Sequence, residues 1–406
     1  MSAPTTAATP GSPSPGKRAV LILMLLGGAL VAALLIGEIF LRLVPIPGIS
    51  FHAFYYDSVT GGRNYPNATL MYRNARGEEV RRRTNSWGFP DVEHELERVP
   101  NTLRIGFFGD SYAEAMQVQL EDTYFRVVDR ELNARIDELQ GAANRHGEPI
   151  HRVEAICFGM SGRSTLQSWL ECGQWMDRTD LDYVVYLFVE NDPIDHVRVL
   201  KGSDIVPYPI LSADTFTVDR SFHERYGYKD KWPHRAVQYL KANSLVVSTI
   251  EGRLKLLKEY GIKRKVTEAE RTGAVGAGGR VGMAPSTWPD SLVAPGWELT
   301  ERVLERWVRD VEKSGRQFVV IRVPREEVLL VPLAGQDSWS PRLHAYCARA
   351  GVALIDPTLY LAERQRAGHE VYYDHFTPQG HHAFAEAFVS FVMAAECDHH
   401  SREEAP

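Results

Sequence analysis

The sequence predicts an α/β protein, a three-layer α/β/α sandwich around a parallel sheet, tethered by one N-terminal apolar helix. Two observations predict the sandwich. Short, continuous apolar runs recur along the chain, and the stretches between them carry helical periodicity. Strands that are apolar at every residue, not at alternate ones, are covered on both faces, and helical crossovers make them parallel. A third observation predicts the tether: Ala19 to Gly37, "AVLILMLLGGALVAALLIG", contains no charge.

The chain has 406 residues, 44% of them hydrophobic, which is ample for a substantial core in one large domain or two smaller ones. Its formal charge of -6 and its lack of a long Lys/Arg block argue against nucleic-acid binding, which requires a basic footprint. The short basic run Arg81, Arg82 and Arg83 is expected to be solvated surface. Cys157, Cys172, Cys347 and Cys397 are too scattered for a disulfide framework or a zinc cluster, and at most form one or two optional bridges. Oligomeric state is not legible.

At the N-terminus, residues 2 to 16 are rich in Ala, Thr, Pro, Ser and Gly, so residues 1–18 are expected to form a disordered cytoplasmic tail. A helix over Ala19 to Gly37 is about 28 Å long, close to the roughly 30 Å hydrocarbon core of a bilayer. The residues that follow, Glu38 to Arg42, do not resemble a signal-peptidase site, so the reading is a retained anchor over residues 19–44. Lys17 and Arg18 favour a cytoplasmic N-terminus, with the rest of the chain outside the cytoplasmic (inner) membrane, on its periplasmic or extracellular side; Arg42 opposes this slightly. Pro45 and Pro47 are expected to end the helix and begin a linker.

Residues 45–100 form this linker and an N-terminal extension with little periodicity, expected to be irregular. The main domain spans residues 101–396. Its predicted strands are Leu103 to Gly109, Val153 to Gly159, Tyr183 to Val189, Gln317 to Val323 and Val352 to Asp356. Helices are expected over Glu121 to Leu139, Thr165 to Met176, Glu298 to Lys313, Pro341 to Ala350 and Gln379 to Ala394. An insertion of about residues 197–297 interrupts the alternation, with a helix expected near Ala242 to Glu259. Its glycine-rich piece, Gly273 to Gly282, is not set between a strand and a helix and lacks a following Gly-Lys-Ser/Thr, so it is read as a loop, not a phosphate site. Residues 397–406 form a polar tail, in which "CDHHS" lacks a second ligand cluster and is not read as a metal site. Trp288, Trp297, Trp307 and Trp339 are read as packing residues, with a sugar platform as the alternative.

Candidate chemistry collects at the carboxyl ends of the predicted strands, where open parallel sheets bind ligands. "FFGDSYAEA" places Asp110 and Ser111 just past the first strand, as a helix cap or as a nucleophile. A serine nucleophile requires a base, usually histidine. Among the 14 histidines, His375 in "YYDHFTPQGHHAFAEAF" lies on a loop, whereas His381 and His382 fall in the first turn of the last helix. Attack on an ester also requires donors for the developing oxyanion. The Gly162 N–H and the Asn191 carboxamide follow the second and third strands, although each also has a plain reading, as a turn and as a helix cap.

Ser, Gly, Asn and His in this order resemble the SGNH hydrolase superfamily, or GDSL lipase/esterase family, in its membrane-anchored bacterial form. The matches are Gly109-Asp110-Ser111, with Tyr112 where the family name has Leu, then Gly162, Asn191-Asp192, and His375 with Pro378-Gln379-Gly380-His381. "NSWGFPDVEHE", Asn85 to Glu95, is similar to the segment before the serine block in anchored members. The resemblance implies a flavodoxin-like sandwich, with Ser111 as nucleophile and His375 as base. It also implies an oxyanion hole of the Ser111 N–H, the Gly162 N–H and Asn191. One position departs from it: the family's acid two or three residues before the histidine is replaced by Tyr373 and Tyr372, leaving Asp374 adjacent. In extended chain Asp374 points away from the His375 ring, so a turn is needed, or another orienting partner: a backbone carbonyl, Asp192, Asp356 or another distant acid.

No metal or cofactor is expected. The implied activity is a serine esterase acting on O-acetyl or other esters of a cell-envelope glycan or lipid. Its alternatives are an O-acyltransferase for an envelope polysaccharide and a non-catalytic glycan-binding or assembly protein. The expected partners are that acylated glycan or lipid ester and the lipid bilayer, through one helix.

Overall fold

The computed structural model describes residues 15–44, 53–74, 76–139, 141–212, 215–250, 253–254, 290–326 and 339–403. Helix α1 (Pro15–Leu43) has no buried residue along its 29 positions and is long and apolar enough to cross a membrane. It begins four residues before the predicted anchor, so Pro15 to Arg18 are helical and not part of a tail. Proline fits there because the first turn has no partner for its missing N–H. The linker prolines Pro45 and Pro47 lie outside the described residues.

The extension is not irregular. It forms two hairpins, β1 (Phe54–Asp57) with β2 (Gly61–Asn64), and β3 (Thr69–Arg73) with β4 (Glu79–Arg83). Strands of four and five residues are too short to show a clear alternation, which is why periodicity missed them. The strand period also corrects the reading of the basic run: Arg81 and Arg83 face solvent, but Arg82 points inward and is buried. Its guanidinium donates to the Glu114 carbonyl at 2.6 Å.

The main sheet follows in chain order. Strand β5 (Thr102–Phe108) leads to α2 (Ser111–Glu114) and α3 (Tyr124–Ala134), then β6 (Arg152–Cys157), α4 (Thr165–Trp175) and β7 (Tyr183–Phe188). The predicted helix over Glu121 to Leu139 is thus shorter, flanked by 3-10 turns at Leu120–Asp122 and Ile136–Leu139. After α5 (Asp192–Asp195) and α6 (Arg198–Lys201), the insertion builds a hairpin, β8 (Tyr208–Ser212) with β9 (Thr215–Asp219). Helices α7 (Phe222–Tyr226) and α8 (Trp232–Asn243) follow. The helix predicted near Ala242 is broken at Ser244: α8 ends before it and residues 245–250 resume as a helix, while the glycine-rich piece lies outside the described residues. The chain then runs through α9 (Asp290–Glu312), β10 (Gln317–Arg322), α10 (Ser340–Ala350), β11 (Ala353–Ile355) and α11 (Thr358–Arg366). It closes with the short pair β12 (Tyr372–Tyr373) and β13 (His375–Phe376), and with α12 (Pro378–Glu403).

All pairings in the five-stranded sheet are parallel, in the order β11-β10-β7-β5-β6. Numbered by their own succession this is 2-1-3-4-5, the flavodoxin-like order, whose switch point lies between β5 and β7. Alternate strand residues feed two cores. Leu103, Ile105 and Phe107 meet α3, α11 and α12, whereas Phe108, Val184 and Val320 meet α4, α9 and α10. Trp297, Trp307 and Trp339 are buried in the second core, and Trp297 stacks on Trp339 with ring centroids 5.8 Å apart. Cys157, Cys172 and Cys347 are buried free thiols, not bridge partners. Trp288 and the side chains of "CDHHS" lie outside the described residues.

Candidate active site

The strand ends nearest the switch point carry the candidate residues. Beyond β5, Asp110 and Ser111 divide the two readings of their motif between them. Asp110 is the cap: its carboxylate accepts from the Tyr112 N–H at 2.9 Å. Ser111 opens α2, and its Oγ lies 2.8 Å from His375 Nε2, in hydrogen-bond contact across 264 residues of chain. The Tyr112 ring lies against the imidazole, with centroids 4.5 Å apart and a 32° tilt. Where the family name has Leu, an aromatic face therefore supports the histidine.

His375 owes its position to a tight antiparallel turn in which Tyr373 pairs with His375. Asp374 is the turn residue, with φ +66°. An aspartate tolerates this left-handed conformation better than most residues, and the chain there is not extended, so the expectation that Asp374 points away does not apply. Its Oδ2 lies 3.5 Å from His375 Nδ1, too long for a hydrogen bond, and Nδ1 has no hydrogen-bond partner among the described residues. The contact is an electrostatic one. The His375 ring, opposed by partial burial and helped by a 2.9 Å hydrogen bond from the Tyr72 hydroxyl, holds the Asp374 carboxyl below its ordinary value. Neither alternative acid is turned to this task. Asp192 Oδ2 accepts from the Val189 N–H at 2.8 Å, and Asp356 pairs with Arg322 at 3.0 Å.

The loop after β6 carries Gly162 at φ +76°, where a Cβ would meet open space but the backbone favours glycine. Residues on either side of it are tied down. Glu114, fully buried at the end of α2, accepts from the Ser161 N–H at 3.0 Å and from its hydroxyl, and Lys201 Nζ donates to the Gly162 carbonyl at 2.7 Å. Gly159 lets this strand end approach: a Cβ there would lie 2.3 Å from the Ala113 carbonyl carbon. Beyond β7, Asn191 occupies the N-cap position of α5 but its side chain does not cap the helix. The Asn191 carboxamide instead donates to Asp195 at 3.2 Å and reaches toward Asp110 at 3.5 Å. Lys201 holds Asp195 at 2.5 Å.

Two buried acids at the site are raised. Burial pushes the Asp110 carboxyl up to about 6, against the Tyr112 N–H that it accepts. Burial also raises Asp192 well above its ordinary value, and the neighbouring Asp110 charge adds to this. The nearby histidines are silent. Burial depresses both His196 and His381 to about 3, leaving them neutral near pH 7. Glu114, Lys201 and Tyr72 were not singled out from the sequence, and Arg82 was read only as part of a solvated basic run, because a five-residue strand carries too little pattern to show which side chains turn inward.

A cavity of about 680 Å³ adjoins Ser161 and Gly162. Its walls include Tyr55, Tyr56, Arg163, Tyr228, Lys229 and Lys241, a mixture of rings and polar ends. A serine oxygen hydrogen-bonded to an imidazole, beside a glycine loop and a carboxamide, can take part in acyl transfer.

No family model and no curated protein matches the chain. Similar solved structures include a G-D-S-L family lipolytic protein from Desulfitobacterium hafniense, at 8% identity and TM-score 0.35, covering 71% of this chain and 98% of its own. An acetyl xylan esterase matches at 11% identity and TM-score 0.36, over 71% of this chain and 100% of its own. A G-D-S-L family member from Veillonella parvula gives 11% and 0.35, over 71% of this chain and 97% of its own. Likenesses this distant assign no residue a role, so the chemistry has to be read from the site. A parallel sheet of this order, with serine, glycine, asparagine and histidine at its carboxyl edge, has the layout of an SGNH-type serine hydrolase.

Proposed function

We propose that the chain is a membrane-anchored serine esterase of the SGNH type that removes acyl groups, O-acetyl foremost, from a cell-envelope glycan or lipid. The 2.8 Å contact between Ser111 Oγ and His375 Nε2 carries this reading, together with the division of labour that leaves capping to Asp110. His375 Nε2 takes the Ser111 proton as Oγ bonds to the ester carbonyl carbon. Negative charge gathers on the carbonyl oxygen, toward which the N–H groups of Ser111 and Gly162 and the Asn191 carboxamide are the donors. The protonated His375 gives its proton to the leaving alcohol as the carbon–oxygen bond breaks. Water then attacks the acyl-enzyme by the same route in reverse, releasing the acid and restoring the Ser111 hydroxyl.

Asp374 stabilises the imidazolium electrostatically, and Tyr72 of the extension steadies Asp374. The rings and charged ends in the walls of the cavity beside Gly162 support a glycan substrate, because they suit a sugar's faces and hydroxyls. The same room admits an acceptor sugar in place of water, which is the transferase reading. Helix α1, with Lys17 and Arg18 at its start, supports a domain outside the cytoplasmic membrane. The full chain should hydrolyse p-nitrophenyl acetate and label with a fluorophosphonate at Ser111. Labelling that persists in Ser111→Ala overturns the assignment. Free acetate released from an acetylated glycan indicates the esterase; acetate appearing on a second glycan indicates the transferase.

A further inference from the structure

The apolar run of α1 ends at Gly37, and Glu38 is the first charge after it. The Glu38 carboxylate accepts from the Ser244 hydroxyl at 2.9 Å and from the Leu245 and Val246 N–H groups at 3.1 Å, capping the helical residues 245–250. Arg42 donates to the Asn243 carbonyl at 3.3 Å. A Cβ on Gly37 would lie 3.1 Å from Val246 Cγ2, so the two segments also touch. The chain just after α8 is therefore fixed at the level where α1 loses its apolar character.

Helix α8 ends at Asn243 and, at 12 residues, is about 18 Å long. It meets the domain along one edge. Gln238 Oε1 accepts from the Tyr56 N–H at 2.6 Å, its amide donates to the Lys229 carbonyl at 2.8 Å, and Ala242 is buried. Helical geometry puts Trp232, Pro233, Ala236, Val237 and Leu240 on the opposite side, without a charge among them. Trp232 is 80% exposed, Leu240 61% and Val237 50%. Arg235 and Lys241 stand off this face, and α8 contains no acid.

We propose that α8 is a second membrane contact: its outer face lies along the headgroup–acyl boundary of the leaflet from which α1 emerges. This rests on the reading of α1 as a membrane span. An apolar face with tryptophan at one end and cations set back toward the protein suits an in-plane interfacial helix. A contiguous exposed patch of this kind needs a cover, and the Glu38 and Arg42 contacts bring that cover within one helix length. The other flank of α8, at His234, Gln238 and Lys241, walls the cavity that reaches Gly162, and Val237 stands at the border between the two. Seating α8 thus sets the height of the candidate site above the lipid.

The test places a spin label by Leu240→Cys in the full chain, in a Cys397→Ser background and in nanodiscs containing anionic lipid. Ile36→Cys in α1 and Leu359→Cys in α11 serve as references. The Leu240 label should match Ile36, favouring oxygen over a water-soluble nickel relaxant by about tenfold relative to Leu359. A Leu240 label in water with Ile36 in lipid overturns the proposal and leaves the anchor standing. An Ile36 label in water removes the anchor and the proposal together. Spin–spin broadening at Leu240 means that a second copy covers the face, which also overturns it.

Discussion

His94 and His375 each lie within reach of an aspartate, one beside the edge strand β6 and the other at the carboxyl end of the sheet, and their surroundings differ. Both ring nitrogens of His94 are engaged, Nδ1 with Glu154 at 2.7 Å and Nε2 with Asp91 at 3.1 Å. Glu154 also accepts from Arg104, whose guanidinium makes four further hydrogen bonds to the carbonyls of Glu95, Leu96, Glu97 and Thr179. Burial opposes the charge on His94, but hydrogen bonds to Asp91 and Glu154 outweigh it and raise the group to about 9. Such a cation cannot serve as a base near neutral pH. His375 meets one serine, the Tyr112 ring and one loosely placed acid, and among the described residues its Nδ1 has no hydrogen-bond partner. A saturated network straps the fold at His94, whereas His375 keeps one contact, to Ser111 Oγ, that the proposed chemistry needs.

The sharpest way to break the comparison is at the loose end. Ser111→Ala and His375→Ala should each lower ester hydrolysis by about 10⁴-fold or more while leaving the denaturation midpoint in detergent nearly unchanged. If His375→Ala retained most of the activity, the contrast between the two histidines would be lost. At the strap the expected loss is in stability: His94→Ala should cost about 3 kcal/mol in chemical denaturation, with hydrolysis per folded molecule preserved. Its pH dependence has a definite sign. A raised histidine stabilises the fold fully below its ordinary value near 6.5, and this contribution disappears as the pH rises through about 9. His94→Ala should remove that alkaline decline.

Asp374→Asn should reduce kcat by roughly 10- to 100-fold, less than the ~10⁴ expected of a buried and hydrogen-bonded triad aspartate. The reason is the 3.5 Å separation and the exposure of 63% of the Asp374 side chain. Tyr72→Phe should lower kcat only severalfold; an effect as large as that of Asp374→Asn would make the hydroxyl more than a steadying contact. The smallest effect is expected of Asp110→Asn, which keeps the cap and removes a buried charge. Because the Asp110 value is raised, its contribution favours the fold at low pH and is lost as the pH rises through about 6. Asp110→Asn should flatten that loss, as read from denaturation midpoints between about pH 4 and 7.

Much of the layout was legible in the chain. The apolar runs from Leu103 to Val323 became parallel strands because burial on both faces leaves a compositional mark at every residue. The hairpins of the extension left none, since strands of four or five residues carry too little pattern. The same limit hid Tyr72 and Arg82, which matter through what they touch. In the insertion, the break at Ser244 became visible only with Glu38 beside it, 206 positions away in the chain.

By itself the sequence determined the apolar span, the alternation of strands and helices, and the set of residues from which a serine hydrolase site could be drawn. Those features follow from local periodicity and from the rule that parallel sheets present their loops at one edge. Only the tertiary structure decided which of Asp110 and Ser111 caps α2, and that Asp374 reaches the His375 ring by a left-handed turn. It also set His375, against Ser111 Oγ, apart from His94, held between two carboxylates, and from the buried His196 and His381. Protonation and reach depend on neighbours distant in the chain, and a linear pattern does not encode which carboxylate, amide or hydroxyl stands 3 Å away.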